Sequence, residues 1–398
     1  MGLSKDVCLG HRIGPWRAIY WAIVRPPQSL FGDILTPTGF VRGELRVVHG
    51  HIDAIDGLPC SEAEVRGDGR AVVLPGFIDL HVHGGGGVDL MQGGDAVTRI
   101  ARLHARHGST ALLATTMTAP LDEIESALRD LAQACRQPVA AGARVLGVHL
   151  EGPYLSRARL GAQPDFIRAA ALDEVLALNQ LAPIRLITVA PDSAEQRAVI
   201  AELRAQGFVV QLGHSDASYE DGVAALRCGA SGFTHLFNAM SGLHHRAPGL
   251  VGAALAHADY AEIIPDLVHV HPGAIRAALR AIPGLYCVTD ATAATGMPDG
   301  PYQLGRHRVT KCLGGVRLAD GTLAGSTLTM DQAFRNLVEL GLSLQEASRR
   351  TASHAAAFLG LSDRGRLSVG CWADLVVLDS RLQLQQVWVE GLPIDLNG

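Results

Sequence analysis

The chain is short of several things that mark whole protein classes. It has two lysines, Lys5 and Lys311, in 398 residues. Its seven cysteines (Cys8, Cys60, Cys135, Cys228, Cys287, Cys312 and Cys371) are scattered, odd in number and without a C-x-x-C pair. That leaves no signal for a disulfide framework or a zinc knuckle and fits a reducing, cytoplasmic setting. Positive charge is not in excess: Lys and Arg number 34 against 39 Asp and Glu, for a formal net charge of −5. A broad nucleic-acid surface is therefore not expected, although a small anionic ligand is compatible. No apolar run is long enough to cross a bilayer. The one near the N-terminus, 18–24, is hemmed in by Arg17 and by Arg25-Pro26-Pro27. Met1-Gly2 opens like a myristoylation signal, but Asp6 stands where Ser or Thr is required. Residues 1–29 read as an appendage of unassigned role, and the chain has no low-complexity tract or clear internal repeat.

What is present is a chain 48% hydrophobic and 18% charged, long enough to bury a substantial core. From residue 33 the pattern is β: 43–48 and 52–55 alternate, with His49-Gly50 as the turn between them. From residue 71 apolar strands alternate with amphipathic helical stretches, the signature of parallel β/α architecture. Strands are expected near 72–82, 110–115, 144–150, 184–190, 208–213, 232–236, 262–269 and 285–290, with helices over 121–135, 194–206 and 274–281. Eight units predict a closed, TIM-like (β/α)8 barrel over 71–361, whose functional residues gather at the C-terminal strand ends. A Gly-rich insertion, 298–325, and two helical stretches, 331–340 and 345–359, follow the eighth strand. The chain then returns to β, and 30–70 with 362–398 are expected to form one small β-sandwich domain from both chain ends.

The strand ends carry the chemistry. Leu74-Pro75-Gly76-Phe77-Ile78-Asp79-Leu80-His81-Val82-His83 is followed by four glycines. Alternation along a strand sends His81 and His83 to the same side, and the glycines let the backbone turn or approach a ligand. Strand three ends in His149-Leu150-Glu151, strand five in Gly213-His214-Ser215 and strand six in Thr234-His235. Strand seven gives His269, and strand eight ends in Asp290. His214 and His235 lie one strand–helix–strand repeat apart, so they can share a metal. Three imidazole or carboxylate ligands with an open fourth position describe a catalytic rather than a structural zinc site. His81 and His83 would complete a second position, bridged by Glu151, and His149, one pleat below Glu151, reads as a supporting group. A carboxylated lysine has no candidate here, since neither lysine is at a strand end. Each residue alone has an ordinary alternative, a buried hydrogen-bonded histidine or a salt-bridged carboxylate. Their convergence at one depth argues for a site.

At these residues a resemblance enters. The Pro-Gly-Phe-Ile-Asp-x-His-x-His start, the split β domain and Asp290 resemble the amidohydrolase superfamily. His149-Leu-Glu-Gly-Pro-Tyr-Leu155, Leu212-Gly-His-Ser-Asp216, Thr234-His-Leu-Phe-Asn-Ala-Met240, Asp290-Ala-Thr-Ala-Ala-Thr-Gly296 and Leu323-Ala-Gly-Ser-Thr-Leu-Thr-Met330 resemble the N-acetylglucosamine-6-phosphate deacetylases within it. The resemblance spans about 33–391. It implies Glu151, His214 and His235 as holders of the main metal, and a second position at His81 and His83. That gives one or two divalent cations per subunit, Zn2+ first, with Fe2+ or another divalent ion as the alternative. It implies Asp290 as general base and acid, and substrate contacts from Asn238, Ala239, Arg246 (to the 6-phosphate), His269, Leu323, Ala324 and Gly325. A homodimer is implied as well, with phosphate contacts shared across subunits. A neutral His269 would donate to the developing oxyanion, and an arginine fork suits phosphate. The expected reaction is hydrolysis of N-acetyl-D-glucosamine 6-phosphate to D-glucosamine 6-phosphate and acetate, in amino-sugar catabolism or cell-wall recycling. The galactosamine epimer, another N-acyl hydrolysis of the superfamily and a catalytically dead binding scaffold are the rivals.

Overall fold

The structure is a computed structural model that describes residues 26–397. The expected appendage therefore lies largely outside the described residues, and its last two positions, Gln28 and Ser29, belong to the first strand.

The chain begins with an antiparallel meander, β1 (Gln28–Thr36), β2 (Gly39–Val48) and β3 (His51–Cys60). His49 and Gly50 both have positive φ, 50° and 81°, the handedness that suits a two-residue hairpin to the twist of its strands. The expected strand 72–82 is in fact two strands. β4 (Val72–Pro75) pairs with β1, and β5 (Phe77–Val82) turns into the barrel. The break falls at Gly76, whose N–H donates to Asp374 O at 2.9 Å. A Cβ there would lie 2.2 Å from the Thr110 side chain, so only glycine lets the chain change sheets at this point.

After the short hairpin β6 (Gly84–Gly85) and β7 (Val88–Asp89) come the parallel strands β8 (Ser109–Thr116), β9 (Arg144–Glu151), β10 (Ile184–Val189), β11 (Val209–Leu212) and β12 (Gly232–Phe233). With β5 they form a six-stranded sheet in the order β12-β11-β10-β9-β8-β5. Every residue of β8 is buried, as a parallel strand covered on both faces requires. β13 (Tyr260–Ile263) and β14 (Gly284–Cys287) pair in parallel. Leu236 N–H to Glu262 O ties them to one side of the sheet, and Asp290 N–H to His81 O and His83 N–H to Ala291 O, each 2.9 Å, tie them to the other. The result is a TIM-like barrel. Strands six, seven and eight are shorter than expected, because their last residues leave the ladder to build loops. His269 accordingly stands on the loop after β13.

Helices cover the barrel, among them Leu121–Arg136, Ala194–Ala205 and Pro272–Ala281. The Ser193 side chain accepts from Gln196 N–H at the start of the second, a cap that contributes about 1 kcal/mol. The Gly-rich insertion is a three-stranded antiparallel sheet, β15 (Gly300–Leu304), β16 (His307–Cys312) and β17 (Gly315–Arg317). It has a small core of its own with Met117, Leu304, Val309, Val316 and Ala324. The chain ends in β18 (Leu375–Leu378), β19 (Leu384–Val389) and β20 (Leu392–Pro393), which join the first strands in a seven-stranded sheet ordered β20-β19-β18-β4-β1-β2-β3.

Candidate active site

The C-terminal strand ends converge on one carboxylate. Glu151, the last residue of β9, is buried. Its Oε1 lies 3.0 Å from Nε2 of His235 and 3.3 Å from Nε2 of His214, and its Oε2 lies 3.2 Å from Nε2 of His83. Nε2 of His81 is 3.5 Å from Oε1 and 3.1 Å from Nε2 of His83, and the Nε2 atoms of His214 and His235 are 3.1 Å apart. Asp290 Oδ1 faces the same cluster, 3.3 Å from His83 and 3.6 Å from His81.

The histidines are turned this way from behind. Nδ1 of His83 faces Thr115 O at 3.2 Å, Nδ1 of His214 faces Arg159 O at 2.9 Å, and Nδ1 of His81 faces Glu262 Oε2 at 3.0 Å. Each acceptor keeps a proton on Nδ1 and leaves Nε2 for the cluster, the arrangement typical of metal-ligating histidine. Nδ1 of His235 is buried without a hydrogen-bond partner among the described residues. The backbone is strained at the same places: His214, His235 and Asp290 have φ of 45°, 30° and 51°. Left-handed conformations of this kind cost energy and are characteristic of functional sites. Gly325 (φ 61°) packs behind Asp290, where a Cβ would come within 2.9 Å of its carbonyl oxygen.

Burial pushes the Glu151 carboxyl up, but His81 and His214 outweigh it and hold it well below the usual carboxylate range. Burial likewise opposes ionisation of Asp290, yet His81 and His83 keep it below its ordinary value. Burial disfavours protonation of His83, but hydrogen bonds to Asp290 and Glu151 raise it to about 9. His81, beside Glu151, Asp290 and Glu262, also goes well above its usual value despite the same burial. Protons on these rings supply the positive charge that the carboxylates demand. A divalent cation fits the same demand, and the nitrogen and oxygen donor set suits zinc or a similar borderline ion. Two groups fall within ligating reach, Glu151 with His214 and His235, and His81 with His83 and Glu151. A third, His81 with His149 and Glu262, is already satisfied: His149 uses Nε2 on the Thr188 hydroxyl at 2.8 Å and Nδ1 on Leu80 O at 3.2 Å, and burial drives its pKa well below the usual value.

The cluster forms the floor of a pocket of about 230 Å³. Of the expected substrate residues, Asn238, Ala239, His269, Leu323 and Gly325 line it. Ala324 does not, because its side chain packs into the core of the inserted sheet. Arg246 does not either. It is exposed on the 241–248 loop, 2.7 Å from Nε2 of His245. Nδ1 of His269 lies 2.6 Å from Asp266 Oδ2, and this carboxylate raises the pKa of the ring against the burial that would lower it.

Sequence reasoning missed Gln163 and Glu262. Gln163 lines the pocket and donates from Nε2 to Glu151 Oε2 at 2.7 Å, while its Oε1 accepts from Thr118 N–H at 2.8 Å. Its one local signal was the Gly161-Ala162 pair before it, in a loop that carried no recognised motif.

A family model described as the amidohydrolase family matches residues 72–394. An N-acetylgalactosamine-6-phosphate deacetylase of Escherichia coli O157:H7 is 41% identical over 90% of this chain and 96% of its own length. An N-acetylglucosamine-6-phosphate deacetylase of Lysinibacillus sphaericus is 39% identical over 86% and 88%. Among solved structures, a variant of N-acetyl-D-glucosamine-6-phosphate deacetylase from Mycobacterium smegmatis in complex with N-acetyl-D-glucosamine-6-phosphate superposes with a TM-score of 0.85 at 35% identity, covering 93% of this chain and all of that one.

Proposed function

Because the chain belongs to the amidohydrolase family, we propose that it is a metal-dependent deacetylase that converts N-acetyl-D-glucosamine 6-phosphate and water to D-glucosamine 6-phosphate and acetate. The observation that carries this reading is Asp290 Oδ1 facing the histidines around Glu151 at the base of a pocket large enough for a sugar. Glu151, His214 and His235 would hold the main cation, and His81 and His83 the second, with Glu151 between them. A bound divalent cation lowers the pKa of water towards 7 and polarises a carbonyl.

The chain's own residues do the rest. Asp290, held ionised, takes a proton from the attacking water at Oδ1 and passes it to the amide nitrogen as that nitrogen departs, so one carboxylate serves both transfers. His269 Nε2–H donates to the substrate, steadied by Asp266. Asn238 and Ala239 border the sugar, with the Asn238 amide fixed by the carbonyls of His235 and Leu236 at 3.1 and 3.4 Å. Leu323 and Gly325 line the same pocket. Arg246 stands outside its own chain's pocket, so its phosphate contact is assigned to the pocket of a second copy in a homodimer. The protein is read as cytoplasmic, a setting its seven scattered cysteines suit. No helix among the described residues is long and apolar enough to cross a membrane.

We read residues 71–361 as the catalytic domain, and 30–70 with 362–398 as a small β-sandwich whose seven-stranded sheet also takes in β4 (Val72–Pro75) from the start of the catalytic segment. Support for the sandwich comes from a separate apolar cluster that joins Leu30, Ile34, Leu45 and Ile52 to Leu375, Val377 and Trp388.

The galactosamine epimer is the second reading, favoured by the 41% identical relative. Purified protein offered the 6-phosphates of N-acetylglucosamine and N-acetylgalactosamine, and unphosphorylated N-acetylglucosamine, decides between them. Preference for the glucosamine phosphate, with one or two metal ions per chain, is expected. Preference for the galactosamine phosphate would install the second reading, and no turnover of any of the three by metal-loaded protein would overturn both.

A further inference from the structure

Glu262 lies in β13 and is fully buried. Its Oε2 is 3.0 Å from Nδ1 of His81, which lies 181 positions away in sequence, and accepts from the backbone N–H of His235 at 3.1 Å. Its Oε1 takes a longer bond, 3.4 Å, from the Tyr286 hydroxyl, whose oxygen accepts from Gln211 Nε2 at 2.6 Å. Among the described residues the ion pairs of Glu151, Glu262 and Asp290 are all to histidine. A buried carboxylate facing only neutral partners is costly, and truncating its one counter-charge would leave it unbalanced. The cost is offset when positive charge sits on the far side of the imidazole.

The other cluster histidines differ. His83 and His214 lean on carbonyl oxygens, which are neutral acceptors. His81 alone has a carboxylate behind its ring, and a carboxylate on one imidazole nitrogen fixes the tautomer and makes the other nitrogen a stronger ligand.

Resting on the reading proposed above, we infer that Glu262 is a positioning residue that holds His81 with its proton on Nδ1 and Nε2 bare towards His83 and Glu151, and thereby sets the occupancy of the His81–His83 cation position. The main position, Glu151 with His214 and His235, depends on it only through one backbone hydrogen bond.

The test compares zinc-loaded wild type with Glu262→Gln, which keeps the shape and removes the charge. Zinc per chain is counted after dialysis, and both affinities are measured by chelator competition. Wild type is expected to keep two ions. Glu262→Gln is expected to keep about one, with affinity for the second lowered about 10- to 100-fold and the first unchanged. Equal counts and affinities overturn the inference, as does a wild type that never takes more than one ion. Loss of both ions from the variant would make Glu262 a structural support of the barrel and overturns it too. Turnover of the sugar phosphate by wild type is scored separately: absence of turnover with the two-to-one count intact would retire the substrate and leave the role of Glu262 standing. If Glu262→Gln does not fold, a crystal structure of zinc-loaded wild type decides. Ligation through His81 Nε2 supports the inference, and ligation through Nδ1 or a missing second zinc overturns it.

Discussion

Oδ1 of Asp290 lies 3.3 Å from Nε2 of His83, so the carboxylate assigned to proton transfer is held by the same ring that borders the second cation position. Asp290→Asn keeps the side-chain shape and its acceptor oxygen but cannot take a proton. The variant is expected to fold and retain metal while kcat falls on the order of a hundred- to ten-thousand-fold, the usual range for losing a positioned acid–base group. Turnover and metal content measured on one sample check this, and near-normal kcat would remove Asp290 from the mechanism.

Arg246 is exposed and absent from its own chain's pocket lining, which makes its phosphate role testable by specificity. Arg246→Ala should lower kcat/KM for the phosphorylated sugar about ten- to hundred-fold, the worth of one or two charge-assisted hydrogen bonds. A poor unphosphorylated substrate should be little affected. Equal losses on both substrates would end the phosphate assignment. If the contact comes from a second copy, mixing Arg246→Ala with Asp290→Asn should restore part of the activity through mixed dimers.

Much of this site could be read along the chain because strand periodicity and loop position are local properties. His81 lies on β5 and His83 is the first residue past its end, and Glu151, His214, His235 and Asp290 each stand where an apolar run stops; the fold brings all six together. Other parts are set by contacts between distant segments. The break at Gly76 was hidden because strand-like residues flank Pro75-Gly76 on both sides, and it arises when the returning chain end offers the Asp374 carbonyl. Glu262 gave no signal in Tyr260–Ile263, since its partner is 181 residues away. Ala324 sits within a recognisable motif, but the inserted sheet turns its methyl group into its own core.

Gln163 ties the Glu151 carboxylate to the loop over the pocket through 2.7 and 2.8 Å hydrogen bonds. Gln163→Leu removes both and leaves the Thr118 N–H unpaired. Stability should fall by about 1–3 kcal/mol, the cost of an unsatisfied buried donor. Metal affinity should drop roughly tenfold or more, because Glu151 would lose the partner that fixes its second oxygen. Urea unfolding and chelator competition measure the two effects, and an unchanged metal affinity would confine Gln163 to a structural role.

His104 offers a stability test away from the candidate ligands. It is fully buried, Nε2–H donates to Gly84 O at 3.0 Å, and Nδ1 has no partner among the described residues. Burial therefore pushes its pKa down to about 4 from the ordinary 6.5. A depressed folded-state pKa means that the unfolded chain takes up the proton first as pH falls. Stability from His104 is thus present above about 6.5 and is lost progressively as pH falls towards 4. At pH 5 the loss amounts to about 2 kcal/mol, because each tenfold difference in proton affinity between the folded and unfolded chain is worth about 1.4 kcal/mol. His104→Leu gives up one hydrogen bond, about 1 kcal/mol at neutral pH, but has no proton to gain. Its loss of stability between pH 7.5 and 5 should be about 2 kcal/mol smaller than that of wild type. The ligand histidines are common to both proteins, so their acid sensitivity cancels in the comparison, and urea unfolding of both at the two pH values reads the difference. Parallel losses would mean that the folded protein admits the proton at His104, and that the imidazole is better solvated than its burial implies.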